Sequence, residues 1–134
     1  MPGIAPRLPL ANDAQDGLAL IRTYENLVRQ NLKHLILTNP GERIMDPLFG
    51  VGIKQFLFEP NDTIVWSNIT ATIHKQVQKY MPYLEIIDIS FMEPGSQNSE
   101  FGVSNYLPIS IEYTIIPLGM EDVLDFTVVD FAVL

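Results

Sequence analysis

The residue with the best setting for chemistry is Glu59, in Phe56-Leu57-Phe58-Glu59-Pro60. A carboxyl flanked by apolar groups can have its pKa raised and serve as a general acid. Cleaving a glycosidic bond needs a second carboxylate across that bond, for which Asp46 and Asp62 are at hand. The other role open to Glu59 is a cap or salt bridge at the entry of the helix that follows. Glu42 and Arg43 are a charged pair in apolar surroundings. Arg43 is expected to hydrogen-bond a carboxylate or the exposed carbonyls of a helix end, pinning its loop. Other chemistry is excluded. With no cysteine there is no disulfide, thiol nucleophile or Cys-based zinc site. His34 and His74 fall on separate helices, no serine has an elbow setting, and no acidic residue is spaced to share a metal with either histidine. Gly50-Val51-Gly52 lacks the Gly-Lys-Ser/Thr of a phosphate loop. No cofactor and no metal are expected, and Glu59 is the single weak catalytic candidate.

These residues need elements to position them. Prolines 2, 6 and 9 deny a helix at the start, so residues 1–16 read as an extended arm or a free tail. From Gly17 the pattern turns helical: Ile21, Tyr24, Val28, Leu32 and Leu35 form one apolar stripe, ended by Asn39-Pro40-Gly41. A second helix follows Pro60, with Asn61-Asp62 as its cap and Trp66, Ile69, Ile73, Val77 and Tyr80 as its stripe. Lys75 and Lys79 load its last turns, Pro82 closes it, and His74 rides the wet face. Beyond Pro82 the period becomes two. Ile87, Ile89 and Phe91 form one inward set, Ile109, Ile111, Tyr113 and Ile115 a second, and Leu124, Phe126 and Val128 a third. A polar loop at 93–104 and a short turn containing Gly119 join these strands. The fold class is therefore α+β: two main helices, then a small antiparallel sheet, with residues 17–134 as one domain.

Composition narrows the partners. The 134 residues are 47% hydrophobic and only 18% charged, and so charge-poor a surface suggests cover by another protein. Residues 1–79 hold all eight basic groups against seven acidic ones, whereas 80–134 hold nine acidic groups and no basic one. Without cations the back half cannot neutralise a phosphate backbone, so nucleic acid is not the expected partner. The acidic half suits either a basic protein surface or simple solubility. No apolar run reaches the length of a membrane span, and the first residues lack the h-region of a signal peptide.

The terminal segment, VLDFTVVDFAVL, is apolar to its last residue and carries no basic guard. It is either an interior strand of its own sheet or an edge offered to another chain by strand addition.

The longest local pattern is T-x-x-G-E-R-x-x-x-P-x-F-G-x-x-x-x-x-x-L-F-E, from Thr38 to Glu59. It resembles the signature of the baseplate wedge and sheath-initiator family of contractile phage tails, the lysozyme-like wedge proteins, which has a counterpart in type VI secretion baseplates. The matching positions are Gly41, Glu42, Arg43, Pro47, Phe49, Gly50, Leu57, Phe58 and Glu59, and the similarity extends over roughly residues 17–130. The family typically carries Glu-Pro-Arg after the second helix; this chain has Met81-Pro82-Tyr83, which suits an apolar and aromatic contact instead. The resemblance implies a structural protein of the virion tail baseplate, assembled in the host cytoplasm, that joins the inner wedge to the sheath. Its partners would be the wedge core-bundle proteins and the first ring of sheath subunits, with about six copies per particle. Partner contacts would fall on the motif loop, on Met81, Pro82 and Tyr83, and on Leu124, Phe126 and Val128. It also leaves two alternatives, a peptidoglycan-cleaving muramidase and a type VI secretion component.

Overall fold

The computed structural model describes residues 3–8, 10–15, 17–58, 63–91 and 106–129, with side chains left out at 57, 58, 106, 107 and 126–129. Glu59, the Asn61-Asp62 cap, the polar loop at 93–104 and the last five residues lie outside the described residues. The chain divides into two compact units, Met1–His34 and Leu35–Leu134.

In the first unit the arm is extended but doubled back. Strand β1 (Ala5–Pro6) pairs antiparallel with β4 (Leu20–Ile21), and β2 (Asn12–Asp13) with β3 (Gly17–Leu18). The Ile4 N–H donates to Ile21 O at 2.9 Å and the Arg7 N–H to Ala19 O at 2.8 Å. Residues 17–21 are thus the return limb of a hairpin, and helix α1 begins at Tyr24 rather than at Gly17. The reason is local: Gly17, the first residue of β3, sits at φ +80°, and the backbone groups of 19–21 are already committed to the outgoing limb. Gln30 of α1 holds that limb through its side-chain amide, accepting from the Leu8 N–H at 3.1 Å and donating to Pro6 O at 3.2 Å. Val28, Leu32, Leu35 and Ile36 are buried along α1 (Tyr24–Leu37), while Tyr24 faces solvent.

The second unit is built on a three-stranded antiparallel sheet of order β5-β6-β7, with β5 at Leu84–Phe91, β6 at Tyr106–Ile115 and β7 at Met120–Val129. Helix α2 (Thr63–Tyr80) packs against β5, and a 3-10 turn at Ile53–Phe58 lies against α2 and β7. The α2 stripe buries Val65, Ile69, Ile73 and Val77, and His74 is exposed as its neighbours require. From the sheet, Ile109, Ile111, Tyr113, Ile115 and Leu124 are buried. Each fully buried side chain of this size contributes about 1.5–3 kcal/mol by leaving water. Tyr113 satisfies its hydroxyl by donating to Asp122 Oδ2 at 2.8 Å, and Trp66 stacks on Phe91 with ring centroids 5.6 Å apart.

One strand departs from the expected alternation. Ile86 pairs with Tyr113 and Asp88 with Glu112, so Ile87 is the extra residue of a β-bulge and is 52% exposed. The inward set is Leu84, Ile86, Ile89 and Phe91. Period-two reading fails there because the bulge absorbs one residue and resets the parity.

Candidate functional site

The motif loop begins where α1 stops. The carbonyls at a helix end need donors, and the chain supplies them by returning: the Val51 N–H donates to Leu35 O at 3.0 Å and the Gly52 N–H to Thr38 O at 2.9 Å. That return needs glycine at 50. Gly50 has φ +116°, and a Cβ there would collide with the Thr38 carbonyl oxygen. Within the loop, the Gly41 N–H donates to Pro47 O at 2.8 Å, closing a small ring of chain. Gln76 of α2 fastens its far side, accepting from the Gly50 N–H and donating to Leu48 O, both at 3.2 Å.

The expected role of Arg43 is corrected. Its guanidinium lies over the Phe49 ring, 3.7 Å from the centroid, instead of reaching a carboxylate or a helix-end carbonyl. The helix-end carbonyls are already taken by Val51 and Gly52. Phe49 in turn meets Tyr80 edge-on at 4.9 Å, and Tyr80 donates to Asp46 Oδ1 at 3.0 Å. Asp46 is therefore tied to a tyrosine hydroxyl; Glu59 and Asp62, its partners in a glycosidase reading, lie outside the described residues. Among the described residues no cluster of His, Asp or Glu could hold a metal ion, and no helix is long and apolar enough to cross a membrane.

Gly41, Glu42, Arg43, Pro47, Phe49 and Gly50 are thus brought into one loop. What the loop shows to solvent is a different set: Ile44 is 92% exposed, Met45 96% and Leu48 66%. Their signal in the sequence is three apolar residues within one Gly/Pro-bounded loop, apart from the motif positions themselves. Met81-Pro82-Tyr83 divides. Met81 is buried at 5% and so is a core residue rather than a surface contact. Pro82 is exposed and Tyr83 half-buried, its phenol pushed above the ordinary value by burial. Leu124 also points into the core, and the Phe126 and Val128 side chains lie outside the described residues. Glu121, Val123 and Asp125 show their side chains to solvent, and the strand also has a free backbone side: β7 is an edge of its sheet, and no strand pairs with its far side among the described residues.

Solved structures share this fold. The chain resembles a candidate tail lysozyme from Geobacter sulfurreducens, with 21% identity, a TM-score of 0.63, and coverage of 85% of this chain and 99% of that one. It resembles a chain in the six-fold symmetrised baseplate of the anti-feeding prophage, with 24% identity, a TM-score of 0.68 and 84% coverage of both. A chain of the post-contraction R2 pyocin baseplate aligns with 17% identity, a TM-score of 0.51, and coverage of 89% and 96%. No curated protein sequence matches the chain. The family model described as baseplate wedge protein gp25 matches residues 22–117, most of the chain including the whole motif loop, and the chain belongs to that family.

Proposed function

We propose that the chain joins the inner baseplate wedge to the tail sheath and starts sheath assembly by accepting a strand along β7. As a member of the wedge family it is a structural component of a contractile-tail baseplate. The observation that carries the finer reading is the edge position of β7 in a sheet ordered β5-β6-β7, with no Lys or Arg anywhere in residues 80–134 to discourage pairing. Each main-chain hydrogen bond to an added strand contributes about 0.5–1.5 kcal/mol net. Several in register give a stable joint without any chemistry. The motif loop supplies the wedge-side contact: its glycines, Glu42 and Arg43 hold the loop, and Ile44, Met45 and Leu48 meet the partner.

The test is proline at Thr127 and at Val128, one at a time. Successive N–H groups of an edge strand alternate between its paired side and its free side. One variant should weaken β6-β7 pairing, and the other should leave the folded chain intact and prevent sheath assembly. Normal sheath on both variants rules out strand addition. Glu59→Gln separates this reading from a muramidase: the variant should lyse peptidoglycan no less than wild type, and a selective loss of lysis with assembly intact favours the enzyme. Copy number distinguishes them again. About six chains per tail fit a ring of wedges, whereas three would fit a central spike.

A further inference from the structure

Hairpin tips favour Gly, Pro, Asn, Asp and Ser for their backbone geometry and local hydrogen bonds, and only the Gly and Pro of that set appear at the tip between β6 and β7. The β6–β7 turn reads Ile116-Pro117-Leu118-Gly119, followed by Met120, and has no polar side chain at all. Its apolar groups face solvent: Ile116 is 57% exposed, Leu118 44% and Met120 39%. The turn is firmly held. Gly119, at φ +63°, donates its N–H to Ile115 O at 2.8 Å, and the Ile116 N–H donates to Tyr83 O at 3.1 Å, which sets the tip beside Pro82 and Tyr83. One rung below, the register puts Glu85, Thr114 and Glu121 abreast across the three strands, and both glutamates are exposed. The tip is thus an apolar knob on an acidic shoulder, in a stretch of sequence that carries no Lys or Arg of its own.

We infer that the β6–β7 turn is a docking knob for a neighbouring baseplate protein, which receives Ile116, Leu118 and Met120 in an apolar socket rimmed by Lys or Arg opposite Glu85 and Glu121. Charge complementarity selects this occupant. A second copy meeting the knob across a two-fold axis would bring like charges together, and an anionic membrane would repel the shoulder. The inference rests on the chain being a baseplate component; it does not depend on strand addition at β7.

The chain has no cysteine, so Leu118→Cys gives a single thiol. Its reaction with a fluorescent maleimide is compared in the free full-length chain and in purified tails. Protection in tails by roughly tenfold or more is expected, together with a short maleimide–succinimide cross-link from position 118 to a lysine of the neighbour. In parallel, the double variant Glu85→Lys/Glu121→Lys should enter baseplates roughly tenfold less well than Glu85→Gln/Glu121→Gln. All three positions are exposed, so an unchanged Tm verifies that the fold is kept. A thiol equally reactive in both states, or lysine variants incorporated as well as the glutamine variants, overturns the proposal. Failure at the knob shows as a chain missing from the baseplate. Failure of strand addition shows as sheath missing from a baseplate that retains the chain.

Discussion

The Glu42 carboxylate takes two hydrogen bonds from Asn39, one from its backbone N–H at 3.1 Å and one from its side-chain amide at 2.9 Å. The Glu42 N–H returns a bond to Asn39 O at 3.1 Å, so the two residues clasp each other across the start of the motif loop. The Glu42 carboxylate reaching back to the Asn39 N–H is one half of a capping box; the other half is replaced by a backbone turn bond, since the Glu42 N–H is met by the Asn39 carbonyl and not by its side-chain oxygen. The acidic member of the Gly41-Glu42-Arg43 triplet is thereby occupied inside its own chain.

Removing the clasp should loosen the loop. Glu42→Ala is expected to lower stability by about 1 kcal/mol, less than hydrogen bonds to a charged group usually contribute because the site is exposed. Urea unfolding measures this, and an unchanged midpoint would show that the loop holds without it.

Two glycines with left-handed backbone should respond differently to alanine. At Gly41 an added Cβ meets nothing within 4 Å, so the loss is conformational alone, about 1–2 kcal/mol. At Gly50 the same Cβ would collide with the Thr38 carbonyl, so Gly50→Ala should add displacement of the helix end and lose about 3 kcal/mol or more. Equal losses in thermal unfolding would contradict the close approach.

Arg43 and Phe49 should be energetically coupled. A double-mutant cycle through Arg43→Ala and Phe49→Leu is expected to give about 0.5–1 kcal/mol, the range for an exposed cation over a ring. Additive losses would mean that the stacking contributes nothing.

Burial raises the Tyr83 phenol above its ordinary value of 10.0. The unfolded chain then releases that proton first, so the contribution is complete below about pH 10 and declines as pH rises toward the folded-state value. Urea midpoints measured from about pH 9 to about pH 11 should fall less steeply in Tyr83→Phe than in wild type. Parallel profiles would show that Tyr83 titrates as it does when unfolded.

Helix α2 and strand β6 were legible because one periodicity runs through each unbroken, from Ile69 to Val77 and from Ile109 to Ile115. The motif loop was legible as a unit because its glycines and prolines lie close together. The role of Arg43 was not, since nothing in a sequence says that the helix-end carbonyls are met by the backbone of Val51 and Gly52. Nor was the arm's return legible: Ile21 continues the spacing of the α1 stripe while its carbonyl accepts from the Ile4 N–H. Local pattern and long-range pairing compete there, and pairing prevails.

The bulge in β5 gives that strand an unusual tolerance of deletion. Residues 86 and 87 are both isoleucine and only one is paired, so losing either leaves a continuous ladder with Leu84, Ile89 and Phe91 still facing the core. Losing Ser90 instead would turn Phe91 away from Trp66. In the sheet, Ile87 acts as a spare letter whose omission preserves the reading frame of the face.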